Sequence, residues 1–400
     1  MTKKVISQLP GKPKPHWAHS LVIKAGDFVF TTGRGGGVDG HGRPLKGLEE
    51  QAKQSIENMK EMLQAVGATL ADVVKLTIVL KNHSEWDNVY YALPGYFPAY
   101  TPPRTVHIAS GLQPEGLITM DCIAYCQSDK SDSITKRVIS QLPGKPNLQW
   151  NHSPVIKAGD FVFTTGRWGG GVDDQGRPIE GIEAQTIESI KNVEELLRAA
   201  GASLADAVKV TVLLKNKSDW DKMEEIYPSY FPKDEPTRTV HMVASSHAEG
   251  LIQTDCIAYS PSDNGGSITK TVVSQIPGRS KSGYPQSPVI KAGDFVFASG
   301  RGGLLDKQGK PLTGIEAQTK QCLENVKEML GAVDAALSDV VKTTILLENP
   351  DDFDKMEQVY RSYFPKDQPT RTIYIASGDH LERGALFELD CIAYCPLHKE

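Results

Sequence analysis

The decapeptide "KAGDFVFTTG" (residues 24–33) returns as "KAGDFVFTTG" at 157–166 and as "KAGDFVFASG" at 291–300. In each copy an Ala-Gly-Asp turn precedes residues of high β propensity, which predicts a β-hairpin. The heptapeptide "VISQLPG" begins at residues 5 and 138, and "VVSQIPG" begins at residue 272. Solenoid repeats have periods of about 20–50 residues. The much longer period here therefore indicates three complete domains.

Two polar segments divide the chain of 400 residues into these domains. They are "QSDKSDSITKR" (127–137) and "SPSDNGGSITK" (260–270), and their composition is typical of exposed linkers. We predict domains over residues 1–130, 131–264 and 265–400. Three similar domains on short linkers can pack about a pseudo-threefold axis, which gives a monomeric chain with the geometry of a trimer. Independent domains arranged like beads on a string are the alternative.

Within each copy the pattern predicts the element order β-β-β-α-β-α-β-β. Apolar residues recur at every third or fourth position from Leu48 to Val66, which indicates an amphipathic helix that Gly67 is suited to end. The segments "DVVKLTIVLK" (72–81) and "LITMDCIAYC" (117–126) are typical of strands. This order favours an α+β fold in which both helices cover one face of a sheet.

Composition excludes several classes of function. The net charge of −5 provides no basic surface, so no nucleic-acid partner is expected. No apolar run approaches the roughly 20 residues of a membrane span, and the start lacks the apolar core of a secretory signal, so no membrane partner is expected. Cys122 and Cys126 lie about 13 Å apart on one strand face, too far for a disulfide. Reduced thiols predict a cytoplasmic protein, and no Cys or His spacing suits a metal ion.

Each copy carries an arginine at the start of an apolar strand face and an aspartate in its last strand: Arg104, Arg238 and Arg371, and Asp121, Asp255 and Asp390. In "TPPRTVHIAS" (101–110), Arg104 shares its face with Val106 and Ile108. A lone buried charge costs several kcal/mol, so such groups are normally paired. Two roles therefore stay open: an Arg–Asp ion pair that fixes the structure, or an arginine that presents its fork to a carboxylate ligand.

A second cationic position follows the glycine that closes each hairpin strand. The glycines are Gly33, Gly166 and Gly300, and the arginines are Arg34, Arg167 and Arg301. Backbone N–H groups of such a turn can form a nest for an anion, and a simple glycine-rich turn is the alternative. Upstream, His19 and His152 occupy matching places, where the third copy has Gln286. Histidine suits acid–base chemistry in a cleft, and packing at a surface or interface is the alternative.

Taken together, these features resemble the RidA (YjgF) family of reactive-intermediate deaminases, formerly described as liver perchloric-acid-soluble endoribonucleases. The resemblance covers each copy nearly end to end. It rests on "KAGDFVFTTG", on the helix followed by "DVVKLTIVLK", on "PPRTVHIA" and on "DCIAYC". Family members have a chorismate-mutase-like α+β fold and form homotrimers with clefts between subunits. The resemblance therefore implies a covalently joined trimer with clefts between its repeats.

RidA-like enzymes hydrolyse imines and enamines to ketoacids and ammonia without a cofactor. The resemblance therefore implies a cofactor-independent hydrolase of C=N bonds with a small carboxylate substrate. It implies that Arg104 and its counterparts bind that carboxylate, and that Gly33 and its counterparts line the pocket with backbone. It also implies that Asp121 and its counterparts stand where the family has a Glu that helps to position the attacking water.

The sequence departs from the family at the expected site. Asp is one methylene shorter than Glu, which would move a bound water by about 1.5 Å. The family's pocket tyrosine is replaced by His19, His152 and Gln286, and Arg34 and its counterparts stand where Gln is common. Two arginines in a cleft suit a larger or doubly anionic substrate. The alternatives are a non-catalytic protein that binds a small carboxylate or a partner, and an endoribonuclease, which the acidic balance disfavours.

Overall fold

A computed structural model gives the architecture of the chain. It describes residues 3–12, 15–97, 99–112, 116–127, 136–143, 151–173, 175–244, 250–261, 270–279, 283–376 and 384–396. Both predicted domain boundaries, and most of the two polar linkers, lie outside the described residues. Three units with the same order of elements make up the described part of the chain.

The first repeat has the predicted order of elements and adds a short strand after the glycine turn and another after the arginine strand. Its strands are β1 (Lys4–Ile6), β2 (Val22–Ala25), β3 (Phe28–Thr31), β4 (Arg34–Gly35), β5 (Val73–Leu80), β6 (Arg104–Ile108), β7 (Gly111–Leu112) and β8 (Ile118–Tyr125). Its helices are α1 (Leu48–Gln64) and α2 (Trp86–Ala92), with 3-10 turns at Leu70–Asp72 and Leu93–Tyr96. After α1 the chain turns at Gly67, whose φ of 80° lies in the left-handed region.

The second and third repeats follow the same plan. In the second these are β9 (Lys136–Ile139), β10 (Val155–Ala158), β11 (Phe161–Thr164), β12 (Arg167–Trp168), α3 (Ile182–Ala199), a 3-10 turn (Leu204–Asp206), β13 (Ala207–Leu214), a 3-10 turn (Lys217–Asp219), α4 (Trp220–Ile226), a 3-10 turn (Tyr227–Tyr230), β14 (Thr237–Met242) and β15 (Ile252–Tyr259). In the third they are β16 (Lys270–Val273), β17 (Val289–Ala292), β18 (Phe295–Gly302), α5 (Ile315–Gly331), a 3-10 turn (Leu337–Asp339), β19 (Val340–Leu347), a 3-10 turn (Pro350–Asp352), α6 (Phe353–Tyr363), β20 (Thr370–Ile375) and β21 (Phe387–Tyr394). None of these described helices is both long and apolar enough to cross a bilayer.

Each repeat builds one mixed sheet. In the first the strand order is β1-β2-β3-β8-β5-β6, with β4 also paired to β8. The arginine strand β6 runs parallel to β5, because α2 carries the chain back across the sheet between them. The short strand β7 leaves its own repeat and pairs with β20 of the third, where Leu112 lies opposite Tyr374. The sheets of the first and third repeats are therefore hydrogen-bonded to each other.

The helices cover one face of each sheet. The predicted apolar stripe of α1 is buried, and it packs in one core with Val106 and Ile108 of the arginine strand. Alternation along β6 therefore places Arg104 on this helix-covered side, at the edge of the apolar core.

The opposite faces of the three sheets share a single apolar cluster. At its centre, the ring centroids of Phe28 and Phe161 are 5.6 Å apart, those of Phe28 and Phe295 are 5.4 Å apart, and those of Phe161 and Phe295 are 5.7 Å apart. All three pairs meet edge to face, the arrangement that aromatic rings favour. The repeats therefore contact one another through the sheet faces that carry no helices.

Candidate active site

Each predicted arginine lies where one repeat borders another. The carbonyl oxygen of Arg104 accepts hydrogen bonds from the Gly166 N–H at 2.9 Å and the Thr165 hydroxyl at 2.8 Å, both in the second repeat. The counterparts are Arg238, whose N–H donates to Ser299 Oγ at 2.9 Å, and Arg371, whose carbonyl accepts from the Gly33 N–H at 3.0 Å. We call these three borders the Arg104, Arg238 and Arg371 clefts. All three arginine side chains are buried.

A helix residue next to each arginine distinguishes the three clefts. Glu224 of α4 binds Arg238, with 2.5 Å between Oε1 and Nη2, and Glu357 of α6 binds Arg371, with 2.6 Å between Oε2 and Nη1. Glu224 and Glu357 each lie four residues after the first residue of their helix. Tyr90 holds the equivalent position in α2. Aromatic rings also cover the guanidinium groups, Tyr227 at 4.4 Å from that of Arg238 and Tyr90 at 4.6 Å from that of Arg104.

The Arg104 guanidinium has a neutral environment. Its Nη2 donates to Asn151 Oδ1 of the second repeat at 2.7 Å, and no carboxylate pairs with it among the residues that the structure describes. Burial lowers the pKa of Arg104 to about 10, because the charged form loses its hydration. By contrast, burial raises the pKa of the Glu224 carboxyl, although Arg238 opposes this shift.

Of the two roles that the sequence left open for the arginines, the ion pair with the aspartates of the last strands is not formed among the described residues. Each aspartate lies on the sheet face without helices and pairs with a lysine of another repeat: Lys75 with Asp255 at 3.2 Å, Lys209 with Asp390 at 3.0 Å, and Lys342 with Asp121 at 2.8 Å. These groups surround a central cavity of about 80 Å³. Alternation shows which residues of one strand share a face, but not which faces of two different strands coincide.

Two histidines and a tyrosine complete the central cavity. His107, His241 and Tyr374 occupy equivalent positions, and the Tyr374 hydroxyl is hydrogen-bonded to His241 Nδ1. Burial lowers the pKa of both histidines to about 3, so they are neutral at pH 7. The aspartates thus belong to an internal network of ion pairs that joins the repeats.

The Arg238 cleft holds a pocket of about 590 Å³, within the size range of small-molecule sites. Arg238 lines it from the second repeat, and Gln286, Gly300, Arg301 and Glu388 line it from the third. The Nε and Nη1 atoms of Arg238 have no hydrogen-bond partner within the described ranges. The pocket is therefore lined both by the buried Arg238 guanidinium, which has unused hydrogen-bond donors, and by the Glu388 carboxylate.

Glu388 is the residue that sequence reasoning missed. It precedes Asp390 by two positions, and Thr119 and Gln253 hold the equivalent ladder positions in the other sheets. A Cβ atom on Gly300 would lie only 2.1 Å from Glu388 Oε1, so glycine leaves the space that this carboxylate uses. The signal in the sequence was a difference between copies, since "TMD" and "QTD" become "ELD" in the third.

The other predicted residues divide among the clefts. His19 is buried, and burial lowers its pKa to about 3, with smaller contributions from the positive charges of Arg371 and Arg34. His152 shares a hydrogen bond of 3.0 Å with Thr165, and Gln286 lines the Arg238 pocket. A neutral His19 can form hydrogen bonds but does not supply a charged acid at pH 7.

The arginines of the glycine turns are also partly withdrawn from water. Burial lowers the pKa of Arg34 and of Arg167, and Arg167 Nη2 donates to Asn192 at 3.3 Å. Arg301 lines the Arg238 pocket. In the described ranges, no group of three or more His, Cys, Asp or Glu residues is placed to bind a metal ion.

Comparison with known proteins agrees with the repeat structure. The profile of the family described as Endoribonuclease L-PSP matches residues 10–126, 144–260 and 279–395. Reactive Intermediate Deaminase A, chloroplastic, of Arabidopsis thaliana is 41% identical over 128 residues, which cover 32% of this chain and 67% of that protein. The 2-iminobutanoate/2-iminopropanoate deaminase of Mus musculus is 32% identical over 128 residues, which cover 32% of this chain and 93% of that protein.

A likeness to one solved structure extends across the repeats. The crystal structure of a chorismatase aligns with 81% of this chain and 93% of its own, at a TM-score of 0.50 and 15% identity, which shows a shared fold alone. The sheets with helices on one face define a protein of three tandem chorismate-mutase-like α+β domains. The chain belongs to the Endoribonuclease L-PSP family, the RidA/YjgF family, with three copies of its domain.

Proposed function

We propose that this chain hydrolyses a carboxylate-bearing imine or enamine to a ketoacid and ammonia, without a cofactor. The observation that carries the proposal is the Arg238 pocket, where a buried guanidinium and the Glu388 carboxylate line one cavity. The mouse relative is named for two imino acids, 2-iminobutanoate and 2-iminopropanoate, which are carboxylates of this class. The relatives named as deaminases align with one repeat of this chain, and their names support imine hydrolysis as the class of reaction.

In this proposal Arg238 binds the substrate carboxylate through donors that Glu224 leaves unused. Glu388 takes a proton from water as the oxygen adds to the carbon of the C=N bond. Return of this proton to the carbinolamine nitrogen makes ammonia the leaving group, and the C–N bond breaks as the hydroxyl gives its proton to Glu388 and becomes the carbonyl of the ketoacid. One water is consumed, one ammonia leaves, and the ketoacid remains, so no redox partner is needed.

We place this chemistry in the Arg238 cleft alone. Thr119 and Gln253 replace Glu388 in the other two clefts, and neither side chain ionises in the physiological range. The aspartates that the resemblance implicated are held by lysines at the central cavity, so the water-ordering role passes to Glu388. Arg301 and Arg279 also line the pocket, which suits a substrate with a second anionic group.

The test is a comparison of neighbouring carboxylates on one strand. Imines are generated in situ with an amino-acid oxidase, and ammonia release is followed for native protein, Glu388→Gln and Asp390→Asn. Loss of a general base costs about 100-fold or more in kcat, so we expect that loss for Glu388→Gln. Asp390→Asn is expected to lower stability by breaking the pair with Lys209 while it changes kcat only a few-fold.

The arginine is tested in the same assay. Arg238→Ala is expected to raise KM by about 10- to 100-fold, because it removes charge-assisted hydrogen bonds to the substrate. Full activity in folded Arg238→Ala and Glu388→Gln proteins would contradict the proposal. Saturable ketoacid binding without turnover across an imine panel would favour the alternative of a non-catalytic carboxylate-binding protein.

We further propose that the three repeats form an intramolecular pseudo-trimer. The shared cluster around Phe28, Phe161 and Phe295, and the Lys–Asp pairs between repeats, support this arrangement. Sedimentation equilibrium is expected to give the mass of one chain, 43.7 kDa. A mass of three chains would indicate that the clefts form between separate molecules instead.

A further inference from the structure

A short segment before the second strand of each repeat lies against a helix of another repeat, beside the arginine of the cleft. We call these segments the straps, and the structure describes residues 16–19, 151–152 and 283–286 of them. Each contacts its helix through one residue: Trp17 against Phe353 of α6, Asn151 against Tyr90 of α2, and Tyr284 against Trp220 of α4. The straps therefore join two repeats at each cleft.

Two hydrogen bonds latch the strap of the Arg371 cleft to α6. The Ala18 N–H donates to Glu357 Oε1, and the His16 carbonyl accepts from Arg361 Nη2 at 2.9 Å. Through its other oxygen Glu357 binds Arg371. Hydrogen bonds to a charged group are stronger than those between neutral groups, so this strap is held directly on the counter-ion of the arginine.

The strap of the Arg238 cleft lacks both donors of this latch. Pro285 stands in the place of Ala18 and has no N–H, and Pro228 stands in the place of Arg361. Glu224 Oε2, the oxygen that a strap N–H would meet, has no hydrogen-bond partner within the described residues. The acceptor of the latch is therefore present in this cleft, and the donor is missing.

The exchange of Ala for Pro fits the same backbone turn. The residue after this position donates its N–H to the carbonyl of the residue before it, His19 to Trp17 and Gln286 to Tyr284, both at 2.9 Å. The common form of such a three-residue turn has a central φ of about −75°, close to the φ of about −65° that proline fixes. The position after Trp17 or Tyr284 therefore accepts either residue without strain in the turn.

We infer that Pro285 is a positioning residue that keeps the Arg238 cleft open to its substrate. Its strap lines the cavity of about 590 Å³ through Tyr284 and Gln286. With an N–H at position 285, the strap would bind Glu224 Oε2, and a ligand could reach Arg238 only after that hydrogen bond breaks. The part of this inference that concerns a substrate rests on the function proposed above, and the part that concerns the strap does not.

The test is Pro285→Ala in the full chain, which restores the N–H of the latch. We expect KM for imine hydrolysis, and the Kd of pyruvate in titration calorimetry, to rise about tenfold or more, because only the open fraction of the protein binds. The value of kcat should be unchanged, since the reacting groups are the same once the substrate has entered. This separation of KM from kcat distinguishes a closed cleft from a damaged one.

Hydrogen exchange reports on the straps without any ligand. Exchange of the Gln286 amide should slow about tenfold in Pro285→Ala, because the latch adds a hydrogen bond to a charged group. Exchange of the His19 amide should become faster in Ala18→Pro, which removes the latch of the Arg371 strap but should leave KM and kcat unchanged. Pro350→Ala, at an exposed proline outside the straps, is the control and should change neither exchange nor kinetics.

A folded Pro285→Ala chain with native KM, native pyruvate affinity and native exchange of Gln286 would overturn the inference. A fall in kcat at unchanged KM would also overturn it, because the proline would then act on the reaction and not on entry. If the native chain neither releases ammonia from imines nor binds pyruvate, while exchange responds to both strap substitutions as expected, the proposed function fails and the assignment of the strap stands.

Discussion

Gly300, Gly166 and Gly33 shape the three clefts by the side chain that each one admits. A Cβ on Gly33 would lie 3.3 Å from Thr119 Oγ1, one on Gly166 would lie 2.7 Å from Gln253, and one on Gly300 would lie 2.1 Å from Glu388 Oε1. Gln253 and Glu388, whose side chains have the same length, approach more closely than Thr119, and Glu388 approaches most closely. The absence of a Cβ atom therefore matters most at Gly300, which faces the Glu388 carboxylate.

The residue-scale prediction concerns Gly300→Ala. The added methyl must displace Glu388, so we expect kcat for imine hydrolysis to fall by about 10-fold or more, since an error of about 1 Å in position can cost that much. Gly302→Ala on the same strand is the control, because its Cβ would meet only ordinary contacts at 3.4 and 3.6 Å. Parallel steady-state assays compare the two, and an equal loss in both would rule out the steric explanation.

Among the elements, the first helix of each repeat approaches the glycine turn unusually closely. A Cβ on Gly303 would lie 1.9 Å from the carbonyl oxygen of Gln318 in α5. Gln318 in turn accepts a hydrogen bond from the Leu386 N–H at 2.7 Å, just before β21. The same two contacts occur in the other repeats. Close packing against the helix therefore requires glycine two residues after each turn arginine.

At this scale we predict opposite effects for two glycines of one repeat. Gly303→Ala forces α5 away from the sheet and should lower the free energy of unfolding by about 2–3 kcal/mol. Gly331→Ala, at the end of α5 with nothing within 4 Å of its Cβ, should raise it by about 0.5–1 kcal/mol through helix propensity. Urea denaturation measures both, and a stable Gly303→Ala protein would contradict the packing argument.

For the whole molecule, the central cavity is the main polar junction of the repeats. Three lysines and three aspartates neutralise one another across repeat borders, and threonine hydroxyls add bonds to the same carboxylates. Breaking one partner of a buried ion pair typically costs about 3–5 kcal/mol. The cavity therefore fixes how the repeats sit together, while the neutral histidines make it sensitive to acid.

The whole-molecule prediction is a loss of stability on acidification. The pKa values of His107 and His241 are lowered from 6.5 to about 3 by burial, so only the unfolded chain binds protons there as the pH falls below 6.5. Stability is complete well above pH 6.5 and declines toward pH 3, by about 1 kcal/mol per histidine between pH 6.5 and pH 5.5 and by about 1.4 kcal/mol per histidine for each pH unit below that.

His107→Phe provides the control for this pH dependence. Phenylalanine keeps the edge contact with Tyr374, which is 4.8 Å between ring centroids in the native chain, and it does not titrate. The pKa of His19 is also lowered to about 3 by burial, so the change in unfolding free energy between pH 7 and pH 5.5, measured in urea, should be about two thirds that of the native protein if the three histidines contribute equally. An unchanged pH dependence would assign the acid sensitivity to other groups.

Repeats, periodicity and alternation in the sequence were sufficient for the domain count and the α+β class, and the resemblance of the repeated motifs was sufficient for the family. They were also sufficient to single out the arginine strand, since Arg104, Arg238 and Arg371 all lie at repeat borders. These properties depend on neighbours along the chain, where residues two apart share a strand face and residues three or four apart share a helix face. The assignments of roles to Gly33, Gly166, Gly300, Arg34, Arg167, Arg301, His19, His152 and Gln286 stay predictions.

Only the tertiary structure decided which charges meet. The sequence left open whether Asp390 pairs with an arginine, whereas the fold pairs it with Lys209 of another repeat and places Glu388 in the pocket that Arg238 lines. It also showed that Glu224 and Glu357 neutralise two arginines, whereas Tyr90 holds the equivalent place beside Arg104, which has no carboxylate partner among the described residues. An ion pair depends on distances across repeat borders, and no local pattern along a strand or helix encodes those distances.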